Sequence, residues 1–88
     1  MDALKILASL DLRGTRVTDA GLREVAALKN LTTLDLESTK VTDTGLKELA
    51  VLKNLTTLNL QRAQVTTAGV KELRMALPKC KIFARPAF

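Results

Sequence analysis

The chain repeats itself every 24 residues, and no other feature narrows its possible folds so far. Leu31 to Leu49 reads LTTLDLESTKVTDTGLKEL, with LASLDLRGTRVTDAGLREV before it at Leu7 to Val25 and LTTLNLQRAQVTTAGVKEL after it at Leu55 to Leu73. Residues 4–27 and 28–51 are identical at 14 of 24 positions, and so are 28–51 and 52–75. A fold built from such a chain uses each unit in the same way, so that equivalent residues of successive units become neighbours.

Each unit carries two hydrophobic periods. Leu10 and Leu12, Leu34 and Leu36, and Leu58 and Leu60 alternate with polar residues, which predicts a short strand with one face inward. From Thr18, Thr42 and Thr66 the spacing becomes helical, as in Leu22, Val25 and Leu28 or Leu46, Leu49 and Leu52. The threonines are expected to cap the helices through their hydroxyls, and Asp19 and Asp43 to complement the helix dipole in the first turn. Thr67 replaces that aspartate in the last unit and predicts a weaker helix start. Gly21, Gly45 and Gly69 recur inside the first turn, where glycine costs about 1 kcal/mol relative to alanine. Close approach of the neighbouring unit is the expected compensation. A strand of three or four residues and a helix of about ten cannot bury their apolar faces alone, whereas stacked copies share one core. The strands then pair in parallel about 4.8 Å apart with the helices outside, and the wider helical layer makes the stack curve.

The pattern L-x-x-L-x-L-x-x-T-x-V at Leu7 to Val17, repeated at Leu31 to Val41, resembles the leucine-rich repeat, whose consensus has Asn or Cys where this chain has Thr15, Thr39 and Ala63. The VTDxGL that follows resembles the subclass with regular outer helices found in F-box proteins and in many bacterial proteins. The resemblance implies an α/β right-handed solenoid with a short parallel sheet on its concave side and α-helices on its convex side. It also implies a protein-interaction module without enzymatic activity. At the Asn position threonine shortens the side chain that would bond the turn backbone, and Ala63 offers no such bond, which predicts a looser third loop.

One domain over residues 1–88 is expected, with a partial repeat at 1–6, repeats at about 7–30, 31–54 and 55–78, and a closing strand and tail at 79–88. MDALKI matches the end of a unit (VAALKN, LAVLKN) but has Ile6 where Asn30 and Asn54 stand, which suggests a truncated array or an N-terminal edge that another surface covers. At the other end Pro78 stops the third helix, and KCKIFAR alternates so that Cys80, Ile82 and Ala84 face inward. Lys79, Lys81 and Arg85 give this end a cationic border.

Most of the net charge of +5 lies toward that end: residues 1–70 carry nine Lys/Arg against eight Asp/Glu, and residues 71–88 carry five against one. Lys71, Arg74, Lys79, Lys81 and Arg85 could attract a polyanion without specificity, but no stacking aromatics accompany them. No apolar run approaches the roughly 20 residues that span a bilayer. The chain has no histidine, and the single Cys80 excludes an internal disulfide and a cysteine-cluster metal site. No cofactor motif is present.

The period writes out the exposed columns of the sheet: Ser9, Thr33, Thr57 and Lys81; Asp11, Asp35, Asn59 and Phe83; Arg13, Glu37, Gln61 and Arg85. Of these, Asp11, Arg13, Asp35, Glu37, Asn59, Gln61 and Phe83 are the expected contact set for a protein partner. Asp11 and Asp35 should be close enough to split their pKa values as an acid/base pair does, but they lack a nucleophile and lie open to water beside Arg13. A divalent cation on Asp11, Asp35 and Glu37 would lack convergent carbonyls. Asn30-Leu31-Thr32 and Asn54-Leu55-Thr56 match the glycosylation acceptor pattern, at a position where asparagine also suits a turn. Phe83 would either anchor a partner or lie covered by the Arg85 to Phe88 tail or by a neighbouring molecule, and Cys80 reads as a small buried apolar residue. A fragment of a longer array, or a homo-oligomer joined through the N-terminal edge, is the alternative to a partner-binding module.

Overall fold

The computed structural model describes residues 8–85, so the expectations for the partial repeat with Ile6 and for Phe88 fall outside the described residues. Strands and helices alternate: β1 (Ser9–Asp11), α1 (Asp19–Val25), β2 (Thr33–Asp35), α2 (Asp43–Leu49), β3 (Thr57–Asn59), α3 (Thr67–Ala76) and β4 (Lys81–Phe83). The strands form one parallel sheet in chain order, β1-β2-β3-β4. Ser9 faces Thr33, Leu34 faces Leu58 and Asn59 faces Phe83, so the 24-residue period is the sheet register. Lys81 pairs with Thr57, which places the last strand in that register despite the lysine at position 79.

The core lies between sheet and helices. Leu34, Leu36, Leu58 and Leu60 come down from the strands, Leu22, Leu46, Leu49 and Leu73 come in from the helices, and Val41 and Val65 close the loops between them. Leu28 and Leu52 lie past the ends of their helices, which close at Val25 and Leu49. The first two helices are therefore seven residues long, shorter than the spacing suggested, because the chain must turn down toward the next strand. The helix that begins with Thr67 is the longest at ten residues, and the Thr66 hydroxyl accepts from the Gly69 N–H at its start.

The units are fastened to one another by polar ladders as well as by leucine. The Thr32 hydroxyl donates to the Ala8 carbonyl (3.1 Å) and the Thr56 hydroxyl to the Thr32 carbonyl (3.0 Å), each one unit back. On the helical side the Asp19 carboxylate accepts from the Thr42 N–H (2.8 Å) and hydroxyl (2.5 Å), and the Asp43 carboxylate accepts from Thr66 in the same way. These carboxylates lie against the α-carbons of Gly45 and Gly69, and a Cβ at either glycine would collide with them. The close approach expected of the glycines thus occurs at two of the three. Gly21 meets its own unit's Val17 instead. The Thr42 hydroxyl also accepts from the Thr44 N–H, while Thr18 makes no side-chain cap bond, contrary to the sequence expectation.

In the turns the Thr15 and Thr39 hydroxyls each donate 2.7 Å bonds to the carbonyls of Leu12 and Leu36. The shortened side chain therefore still reaches backbone. Ala63 has only its N–H to offer and bonds the Leu60 carbonyl at 3.1 Å, with its methyl buried.

The two ends of the stack differ. Leu34 and Leu58 are fully buried between neighbours, whereas Leu10, Leu12, Val17 and Leu28 of the first unit are only partly buried. At the far end Ile82 continues the inward column, and Arg74 of α3 reaches around to donate 3.1 Å to the Ile82 carbonyl. Alternate residues of a parallel strand bond to opposite sides, and the Phe83 carbonyl is taken by the Leu60 N–H. The Ile82 carbonyl therefore faces away from β3, on the outer side of the four described strands, where the guanidinium takes it up and opposes pairing there.

Candidate protein-interaction face

The polar side of the sheet is covered by no helix of the described residues. On it stand Ser9, Thr33, Thr57 and Lys81 in one row and Asp11, Asp35, Asn59 and Phe83 in the next. Backbone bonds carry the stack past the strands, with the Gly14 N–H on the Glu37 carbonyl and the Ser38 N–H on the Gln61 carbonyl, both 2.9 Å. This brings Arg13, Glu37 and Gln61 side by side along the loop rim. Gly14, Ser38 and Arg62 hold the left-handed backbone position of successive loops, with φ near 60° (+68°, 59° and 64°). The strands point their alternate side chains outward, and the shared register keeps each row in line.

Three of the expected contact residues have a second task inside the fold. The Asp11 carboxylate accepts from the Arg13 N–H, the Asp35 carboxylate from the Glu37 N–H, and the Asn59 amide oxygen from the Gln61 N–H, each at 3.0 Å. A side-chain oxygen bonding the N–H two residues on mimics a backbone turn, so this row also ends each strand. Asn59 shows that the acceptor matters and the charge does not. Sequence reasoning missed this role, although a row of Asp, Asp and Asn directly before a loop was a usable signal.

Arg13 ties the first two strands together. Its guanidinium forms a bidentate pair with Asp11, with Nε and Nη2 on the carboxylate at 3.0 to 3.2 Å, and its Nε lies 3.5 Å from Asp35. Hydrogen bonding from the Arg13 side chain and then its N–H holds the Asp11 carboxyl below the usual carboxylate range, and the same pair raises the Arg13 pKa. The Arg13 cation lies between the two aspartates and favours the charged form of Asp11, whereas a general acid needs its carboxyl pKa raised. Because the folded pKa of Asp11 is depressed, its pairing supports the fold above the unfolded carboxylate pKa and is lost as pH falls through the folded value. Carbon-detected titration of Asp11 is therefore expected to show a midpoint below about 3.9, and Arg13→Ala to raise it only part of the way to that reference, because the backbone N–H of residue 13 still donates to the carboxylate.

Farther along the face, Glu37 accepts from the Asn59 amide at 3.4 Å. Phe83 stands 48% exposed, with Lys81 and Arg85 exposed on either side of it. Cys80 is half-buried, and burial pushes its thiol pKa up, which suits a packing role better than a reactive one. Asn54 donates 3.3 Å to the Lys29 carbonyl of the preceding unit, so it serves the turn between units. Of the five C-terminal cations, Arg74 is engaged beside the last strand. No helix of the described residues is long and apolar enough to cross a membrane.

A parallel β-α stack with a two-sided division into apolar interior and polar sheet face defines a repeat solenoid. The family model for the leucine-rich repeat matches residues 6–26, 27–50 and 51–73 in succession, and the chain belongs to the leucine-rich repeat family. Such repeats generally mediate protein–protein interaction and are typically not enzymes. No curated protein matches the chain closely.

Proposed function

We propose that the chain is a non-enzymatic protein-interaction module that offers its concave sheet face to a protein partner, with Asp11, Arg13, Asp35, Glu37, Asn59, Gln61 and Phe83 as the contact set. The observation that carries this reading is the division of labour on the sheet: one face is filled by leucine, and the other is an array of outward polar side chains, three of them held by turn bonds, with an exposed phenylalanine. Preorganised side chains cost little ordering on binding, so such a face can bind without rearranging.

A clean test must spare the turn bonds. Asp35→Lys would remove the acceptor for the Glu37 N–H, whereas Asp35→Asn keeps it, as Asn59 does in the next unit. Asp35→Asn with Glu37→Lys is expected to weaken binding of a protein partner about tenfold, as loss of two peripheral charge contacts does, with the melting temperature little changed. Exchange of Met75, which is exposed on α3, for Glu should leave affinity unaltered. The opposite pattern would place the contact on the helices.

A second reading, self-association at the β1 end, is favoured by Leu10, Leu12, Val17 and Leu28, which stay only partly buried around the first of the described strands. Light scattering would show mass rising with concentration, and a constant monomer mass would remove this reading.

A further inference from the structure

Charge is not scattered on the sheet face but graded along the stack. The β1–β2 end carries Asp11, Asp35 and Glu37 against the single cation Arg13, which is already paired. Across β3 the outward residues Thr57, Asn59 and Gln61 are neutral. At β4 the outward residues are Lys81, Phe83 and then Arg85, with no carboxylate among them. The face therefore runs from net negative through neutral to positive, and its exposed aromatic ring sits at the positive end.

From this gradient we infer that the face takes an extended segment of a protein partner laid across the strands in one polarity. A cationic side chain of the segment lies over Asp35 and Glu37, and carboxylate and apolar side chains lie over Lys81, Phe83 and Arg85. This rests on the concave-face reading and adds the chemistry of the partner. Two strand spacings separate β2 from β4, about 10 Å, which an extended segment covers in about three residues. Opposite charges at that spacing on both surfaces fix orientation more than they add affinity, and the attraction weakens with salt. The segment crosses the face and does not extend the sheet at β4, because Arg74 already occupies the outward carbonyl of Ile82.

The test uses the full chain, isotope-labelled, and the peptide acetyl-KKSSLEE-amide carrying a nitroxide at either end. With the label at the Glu end, amides of Lys81 to Phe83 should broaden about threefold more than those of Asp35 to Glu37, and with the label at the Lys end the order should invert. The charge-scrambled peptide KESELKS, of the same composition, should bind about fivefold more weakly at low salt. Glu37→Lys with Lys81→Glu leaves no net charge at either end of the face and should remove the difference between the two label positions. Equal broadening of both ends, contact confined to the β1 edge, or no shift at millimolar peptide would overturn the polarity. Shifts on the sheet face without polarity would leave the concave-face reading standing, and shifts on α2 and α3 instead would remove it as well.

Discussion

Gly69→Ala will destabilise the protein by about 2–3 kcal/mol, although alanine is the better helix former by about 1 kcal/mol. A Cβ at this position collides with the Asp43 carboxylate of the preceding unit. The carboxylate must swing away, and it then gives up the N–H and hydroxyl of Thr66 together. Hydrogen bonds to a charged acceptor contribute about 1.5–3 kcal/mol each, so their loss outweighs the helix-propensity gain. The same exchange at Gly21 meets only the Val17 side chain at 2.8 Å and breaks no bond between units. It should change stability by less than about 1 kcal/mol in either direction. A double-mutant cycle in urea checks the mechanism: once Asp43→Ala has removed the carboxylate, Gly69→Ala should become neutral or stabilising. Additive losses would mean that the glycine and the carboxylate do not act as one clamp.

The largest loss is expected from Leu34→Ala. Leu34 is fully buried on β2 with Leu10 and Leu58 in register on either side, so neither neighbouring strand can collapse into the space without breaking its own column. Removal of a fully buried leucine side chain costs about 3–5 kcal/mol including the cavity, a large part of the 5–15 kcal/mol that holds a typical domain. A fall in melting temperature of roughly 15 °C or more follows for a chain of this size. Leu10→Ala, at the partly buried first rung, should cost about half as much, because less apolar area leaves water there on folding. Equal losses at the two positions would mean that the first rung is as well covered as the second.

These two expectations divide along the line between what is local in the chain and what is not. Alternation of Leu34 with Asp35, the change to helical spacing at Thr42 and the 24-residue spacing of both are one-dimensional properties. They are enough to place Leu10, Leu34 and Leu58 in one row and Asp11, Asp35 and Asn59 in another, as the sheet register has them. The candidate face was legible for the same reason. What Asp35 does on that face was not, since the same outward carboxylate can await a partner or close its own turn, and sequence spacing serves both equally.

The sequence by itself determined the repeat, the parallel register and the identity of the leucine-filled side, because stacking identical units brings every twenty-fourth side chain next to its predecessor. Only the tertiary structure decided that Asp19 and Asp43 reach forward to the next unit's threonine, that Gly45 and Gly69 make room for them, and that Arg74 guards the last strand. Those contacts depend on the sideways offset between neighbouring helices and on the path around the sheet edge. Both are set by how the cores settle against one another, and no spacing along a single unit encodes them.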